Sequence, residues 1–493
     1  MKKVLITLMI LVVSMQCLSQ GLSNMWIAGY AAQAGPPGGH SIFNFFNGNI
    51  QITYDSLPMD FRHTHANISD SAGNLLFYTN GYYIADATND TMDNGSGINP
   101  GAYANFVPDG FLLPQGAIII QKPSSSNIYY MFHSTCDHYP QQGCRAYQLY
   151  LTEIDMSLKG GLGSVTNKNQ KIIIDTLNVG KITACKHGNG RDWWIVLHRV
   201  NSNMFYKLLV TPYGIQGPFS QNIGSYRPWD AGQAKFSPDG NRYAYYNYLG
   251  GADLDVFDFD RCTGMLSNWR NDTIKQVIGN TGMEFSPNSN IVYVSNITEV
   301  YQYDLTASTL LAGRTMVAAS DGFKDPVWNI GTYLCLSQLA PDGKIYMSTG
   351  NGTTFMHAID QPDVVGIGCN VLQHSVVLPS LYFNTLPNHP NFFLGANGLC
   401  NNLSYESLES WKVKKVTVFN NPTYDKFTLW FPVDKDVGVL EIYDVNGACI
   451  RRERVSQWSQ YKTVDISLFA EGVYFCKMKW PSGEGSVKVV RLE

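Results

Sequence analysis

One short unit recurs along this chain: an apolar strand, a turn of Ser, Asp, Gly and Pro, then a second strand. It is clearest at Phe236-Ser-Pro-Asp-Gly-Asn-Arg-Tyr-Ala-Tyr-Tyr, Phe285-Ser-Pro-Asn-Ser-Asn-Ile-Val-Tyr-Val and Leu339-Ala-Pro-Asp-Gly-Lys-Ile-Tyr-Met. A looser copy is Ile68-Ser-Asp-Ser-Ala-Gly-Asn-Leu-Leu-Phe-Tyr, and weaker turns fall at 123–127, 187–190 and 387–391. Turn centres near 70, 125, 188, 239, 288, 342 and 389 give steps of 55, 63, 51, 49, 54 and 47 residues. Helical periodicity is almost absent between them, and short β-branched and aromatic runs alternate with turn clusters, so the body is all-β. Pro suits the turn because it presets φ, and Gly because it accepts positive φ.

Steps of four-strand size predict a seven-bladed β-propeller, because one such unit cannot bury its faces alone and must stack around an axis. Each turn joins a blade's innermost strand to the next one outward. The seventh unit shows only an inner strand, near Asn391 to Leu394. The stretches from Trp26 to Ala31 and from Ile42 to Thr53 precede the first full unit, and are expected to complete blade seven and close the ring. Closure removes the exposed edges of an open sheet.

Charge density divides the chain. From residue 20 to 410 there are 20 Lys+Arg and 29 Asp+Glu, but from 411 to 493 there are 13 and 10 in a fifth of the length. This predicts a propeller at 20–396, a linker at 397–410 and a small Ig-like β-sandwich at 411–493. Residues 1–19 read as a signal peptide, with Lys2 and Lys3 before an apolar run from Val4 to Val13 and small residues ahead of Gln20. That run is shorter than the ~20 residues a membrane span needs, so the mature form is expected to have none. Without Lys2 and Lys3 the balance is 33 basic to 39 acidic, a net of −6, which argues against nucleic acid as a partner. Nine cysteines remain after the leader, with no C-x-x-C spacing, in a compartment that permits disulfides. Cys136 and Cys144 bracket a turn-rich loop and are expected to pair.

Several long phrases carry a resemblance: SDSAGNLLFYTNG (69–81), EIDMSLKGGLGSVTNKN (153–169), KITACKHGNGRDWWIVLH (181–198), FSPDG (236–240), LAPDGKIYM (339–347) and LPNHPNFFLG (386–395). On them the body resembles a large family of secreted Bacteroidetes propeller proteins. The resemblance implies a fold and an address, not a reaction. The last 83 residues resemble the type A sorting domain of type IX secretion. Val418-Phe-Asn-Asn-Pro-Thr, Leu440-Glu-Ile-Tyr-Asp-Val-Asn-Gly and Asp465-Ile-Ser-Leu-Phe-Ala-Glu-Gly-Val-Tyr-Phe follow that family's order. The motif positions are Asn421, Pro422, Tyr443, Asp444, Gly447, Gly472, Val473 and Tyr474, with Asn420 where the family has its first Pro. This resemblance implies signal peptidase, the type IX translocon and its sortase as partners, and a secreted or cell-surface destination reached through the periplasm.

H-E-x-x-H, G-x-S-x-G, the P-loop and a complete EF-hand are all absent from the sequence. A propeller site would instead gather residues from several blades. Aligning the turns brings His63, His65, Trp229, Asp230, Gln233, Asn280 and Asn384 to the mouth of the axis. This mix of one aromatic ring and short polar groups suits a small polar or sugar ligand. His63 and His65 alternate on an expected inner strand, where ordinary hydrogen-bonded histidine competes with a metal pair. Asp253, Asp255, Asp258 and Asp260, and the loop at 86–94, offer oxygen ligands for calcium, against the simpler reading of solvated acids. No catalytic residue is assigned. A non-enzymatic binding or adhesion module is the first reading, and a hydrolase or lyase acting at the channel mouth is the alternative.

Overall fold

In the computed structural model the chain forms two compact units, residues 1–398 and 399–493. The structure describes residues 21–48, 50–141, 144–228, 232–247, 253–274, 281–397, 400, 414, 416–434 and 436–492. The expected signal peptide, Trp229, Asp230, Asn280 and most of the 397–410 linker lie outside the described residues.

The first unit is all-β, and its described residues form seven antiparallel sheets. The first sheet comprises Met25–Tyr30, Gly39–Asn44 and Gln51–Asp55, and the second Ala66–Ser69, Leu75–Thr79 and Ile84–Asp86. The third holds Ala117–Gln121, Ile128–His133, Ala146–Asp155 and Ser164–Leu177. The fourth holds Thr183–Lys186, Trp193–His198, Ser202–Thr211 and Gly214–Arg227. The fifth is Ala234–Phe236, Arg242–Asn247, Asp253–Asp260 and Met265–Thr273, and the sixth Gly282–Phe285, Ile291–Ser295, Glu299–Asp304 and Arg314–Ala319. The seventh is Ser337–Leu339, Ile345–Met347, Thr353–Ile359 and Val371–Tyr382. Strands within each sheet pair in sequence order, so every neighbour is joined by a local connection.

Each sheet packs face to face on the next, and the shared cores form a closed cycle. Ile27 of the first sheet packs with Tyr78 and Ala85 of the second. One core then runs through the second, third and fourth sheets, from Phe77 through Ile119 to Trp193. Trp194 meets Tyr243 between the fourth and fifth, Val256 meets Val292 between the fifth and sixth, and Tyr293 meets Ile345 between the sixth and seventh. Tyr346 and Leu378 of the seventh then pack on Trp26 and Phe43 of the first. Second strands are consequently largely buried, as in Trp193–His198, where all six residues are. Fourth strands such as Gly214–Arg227 are largely exposed.

The repeated turn has a side-chain cause. Ser237 Oγ accepts from Arg242 N at 2.9 Å while Asp239 Oδ1 accepts from Asn241 N at 3.0 Å. Ser286 and Asn288 do the same for Ile291 N and Asn290 N, at 3.1 and 2.9 Å. Turn residues thereby satisfy the backbone that the ladder leaves open.

The axis is closed by three amide side chains. Gln233 Oε1 accepts from Met283 N and Ser337 N, both at 2.9 Å, and its Nε2 donates to Ser337 O at 3.0 Å. Gln115 Oε1 accepts from Ala234 N and its Nε2 donates to Ala234 O, both at 2.8 Å. Asn388 Nδ2 donates to Ala117 O and Ile182 O, both at 2.9 Å, and Asn388 N donates to His65 O at 3.0 Å. The three amides thus hold the first strands of the second to seventh sheets or the residues just before them.

This corrects the expected closure. Asn391 to Leu394 is not a strand, and the first sheet stands alone rather than completing a blade with that segment. The segment's hydrogen bonds go to the axis and the turns instead: Asn391 Nδ2 donates to Pro238 O at 2.6 Å, and Gly395 O accepts from Arg261 at 2.7 Å. Replacing Gln233 by Ala would leave three buried backbone groups unpaired, a cost of roughly 3 kcal/mol or more. Urea unfolding of the variant should show that loss, and an unchanged midpoint would refute the axial role.

The second unit has its own core of Phe427, Leu429, Leu440, Ile442, Met478, Trp480 and neighbours. It contains one sheet of Thr417–Phe419, Lys426–Trp430 and Tyr461–Asp465, and another of Cys449–Val455, Gly438–Tyr443, Gly472–Trp480 and Gly483–Arg491.

Candidate functional site

A cavity of about 330 Å³ opens at the turn end of the first strands. Gln115 and Asn388 contribute to its lining, so the closed axis forms its floor. Lys235, Glu284 and Gln338 stand at one register, three residues before Pro238, Pro287 and Pro341 in consecutive sheets. Lys235 Nζ lies 2.9 Å from Glu284 Oε2 and also donates to Gln338 Oε1. Glu284 accepts further from Phe285 N and Leu339 N, at 2.9 and 3.0 Å. The three are only 7, 3 and 6% exposed, so this is a buried pair whose partners must stay together.

His389 lines the same cavity. Its Nε2 lies 3.0 Å from both Asn67 O and Asn67 Oδ1, two acceptors, so Nε2 carries the proton. Burial holds this imidazole down to about 3, and Nδ1 has no hydrogen-bond partner among the described residues. Trp26 forms another wall, with its indole Nε1 equally unpartnered. Phe236, Leu339, Phe393 and the three prolines supply the apolar remainder. A site of this composition binds by shape and a few fixed polar groups.

The described residues expected from the sequence, His63, His65, Gln233 and Asn384, sit elsewhere. Gln233 precedes its strand on the axis, with every side-chain polar atom engaged there. His63 and His65 precede the strand that begins at Ala66, because Phe111 O draws both His63 N and Thr64 N and breaks the extended run. His63 stacks on Phe383 at 5.4 Å and His65 packs on Phe61 at 4.5 Å, both buried. Asn384 is fully buried and bonded to Ser348 Oγ. None of these four lines the cavity. Lys235, Glu284 and Gln338 were missed, although their shared offset before Pro is visible in the aligned turns.

Among the described residues no group of three His, Cys, Asp or Glu is placed to hold a metal ion. The aspartates considered for calcium have other partners. Asp255 takes Arg227 Nε at 2.8 Å and Trp269 Nε1 at 2.8 Å, while Asp253 takes Arg227 Nη1. Asp258 accepts from Asn268, and Asp260 from Cys262 N and Thr263. In the 86–94 loop, Asp93 accepts from Ser164 and pairs with Lys159 at 3.2 Å. Cys136 and Cys144 form a disulfide, and Cys262 and Cys400 are disulfide-bonded as well. Cys449 and Cys476 are free thiols, one exposed and one buried.

In the second unit the motif residues hold turns and strand ends. Asn421 Nδ2 donates to Lys488 O at 3.0 Å and its Oδ1 accepts from Val490 N at 2.8 Å, tying the Asn-Pro segment to the last strand. Pro422 follows it. Asp444 Oδ1 accepts from Asn446 N and Ala448 N, and Gly447 sits at φ +80°, where a side chain is disfavoured. Tyr443 donates to Glu441 at 2.7 Å and Tyr474 to Ala470 O at 2.5 Å. Gly472 and Val473 open the strand that carries Tyr474.

These elements define an exported protein with a dedicated address. Residues 417–491 match the Secretion system C-terminal sorting domain, Por_Secre_tail. The chain is accordingly secreted to the cell surface or beyond, and interacts with the type IX machinery. Among the described residues no helix is long and apolar enough to cross a membrane. No curated protein matches the chain. Among solved structures it is similar to the periplasmic gluconolactonase PpgL of Pseudomonas aeruginosa, at 12% identity over 74% of this chain and 100% of that one, TM-score 0.40. A functionally unknown protein of Desulfotomaculum acetoxidans gives 13% identity over 75% and 100%, TM-score 0.39. The Dos1 propeller gives 12% over 66% and 86%, TM-score 0.36. Likeness at this distance says nothing of a reaction.

Proposed function

We propose that this protein is an extracellular binding module: a seven-bladed β-propeller, exported by an Ig-like type IX sorting domain, that holds a small polar ligand such as a sugar in its central cavity. The observation that carries this reading is the Lys235–Glu284–Gln338 cluster. Its charges neutralise one another inside the cavity, while prolines and aromatic rings give the walls a fixed shape. Signal peptidase would remove residues 1–19, and the translocon's sortase would release the first unit by cutting within 397–415.

The test is calorimetric titration of the secreted protein with a panel of mono- and oligosaccharides. Phe393 is 39% exposed, so Phe393→Ala should weaken binding about tenfold without changing the melting temperature. A wild type that binds none of the panel, or a variant that binds as the wild type does, would overturn the assignment.

A further inference from the structure

A second cleft, of about 520 Å³, lies between Tyr82 and Tyr83 of the second sheet's turn and residues 91–105. After Ile84–Asp86 the chain turns back along that strand's edge at residues 90–95, and residues 87–116 form an excursion before the third sheet begins at Ala117. We propose that this cleft is a separate binding site for a neutral saccharide.

Its lining carries no charged side chain, which leaves an ionic ligand without a counter-charge. Tyr82 and Tyr83 form an aromatic corner, their rings 6.2 Å apart and nearly perpendicular at 87°. Both rings are partly exposed, and their hydroxyls make no hydrogen bond with the described residues. Asn105 adds an exposed amide, and Thr91 and Ser96 add exposed hydroxyls. An aromatic ring offers an apolar face with a polar tip, which complements a sugar ring's C–H face and its hydroxyls.

The cleft is also preorganised. Asn94 Nδ2 donates to Val165 O and Asn169 Nδ2 to Gly97 O, both at 2.8 Å, fixing the excursion to the third sheet. Asn99 Nδ2 donates to Gly81 O at 2.9 Å, and its Oδ1 meets His133 Nδ1 at 2.7 Å. A rim held from both sides loses little freedom when a ligand arrives. A peptide would dock best on an open strand edge. The edge of Ile84–Asp86 is already covered: Ile84 N donates to Gly95 O, Met92 N to Ile84 O and Asp86 N to Asp90 O, each at 3.0 Å.

Affinity electrophoresis of the full secreted protein tests this, in gels containing a neutral glucan, a mannan, a galactan, polygalacturonate or gelatin. At least one neutral polysaccharide should retard the wild type. Tyr82→Ala should weaken that retardation at least tenfold, Asn105→Ala less, and Tyr82→Phe least, with unchanged melting temperatures. Tyr213→Ala, an exposed aromatic that lines neither cavity, should be retarded as the wild type is, which ties the effect to this cleft. Retardation by gelatin or polygalacturonate alone, none by any neutral polysaccharide, or a Tyr82→Ala variant indistinguishable from wild type would overturn the proposal.

Discussion

Lowering the pH from 7.5 to 5.5 is expected to remove on the order of 5 kcal/mol of folding stability from the first unit. The cause is a set of histidines held neutral by burial. His40, His63 and His357 are pushed down to about 4, and His133, His198 and His389 to about 3. His65 is also held well below its ordinary value. In the unfolded chain each protonates near 6.5, so below that pH the unfolded state binds more protons than the fold does. Stability is full above about 6.5 and declines as the pH falls towards the native values, by up to ~1.4 kcal/mol per histidine per pH unit. The figure above assumes half of that from the set. Urea midpoints read by tryptophan fluorescence at the two pH values measure it. A midpoint that holds or rises at pH 5.5 would refute the histidine account.

Removing residues 411–493 is expected to abolish delivery to the surface and leave the first unit in the periplasm. The retained unit should still be folded, because its cycle of cores is complete without the sorting domain. Asn421 gives a sharper version. Its two bonds to the last strand are lost in Asn421→Ala, which should loosen the Asn-Pro segment and reduce export without affecting the first unit. Cell fractionation with an antibody to the first unit reads both variants. Wild-type amounts of the truncated protein in the medium would end the assignment.

The strand–turn–strand units were legible because the turn makes local chemical demands. Ser237, Asp239 and Gly240 all act within six residues of one another, so the sequence window shows them together. The first sheet was harder to place, because its turn at 31–38 is Ala-Ala-Gln-Ala-Gly-Pro-Pro-Gly and resembles none of the others. Long-range partners were the main loss. Gln233 and Asn388 are polar residues near an axis, and nothing local distinguishes lining a channel from closing one. Their partners are backbone groups 50 to 271 residues away. The acidic run from Asp253 looked like a solvated or calcium-binding face because Arg227, which neutralises its buried half, lies on another strand 26 residues earlier. His63 and His65 were misread through secondary structure: two residues apart means one face only in a strand, and Phe111 O keeps that segment irregular.

The stretch that seals the axis is made almost last. Thr385 bonds Arg62 O, Asn388 reaches Ala117 and Ile182, and Asn391 reaches Pro238, so residues 385–391 touch sheets laid down hundreds of residues earlier. Before that stretch is made the chain can form its hairpins and the axial bonds of Gln115 and Gln233, but not those of Asn388. The bonds that tie the second, third and fourth sheets together at the axis are therefore complete only once the stretch before the sorting domain has been made.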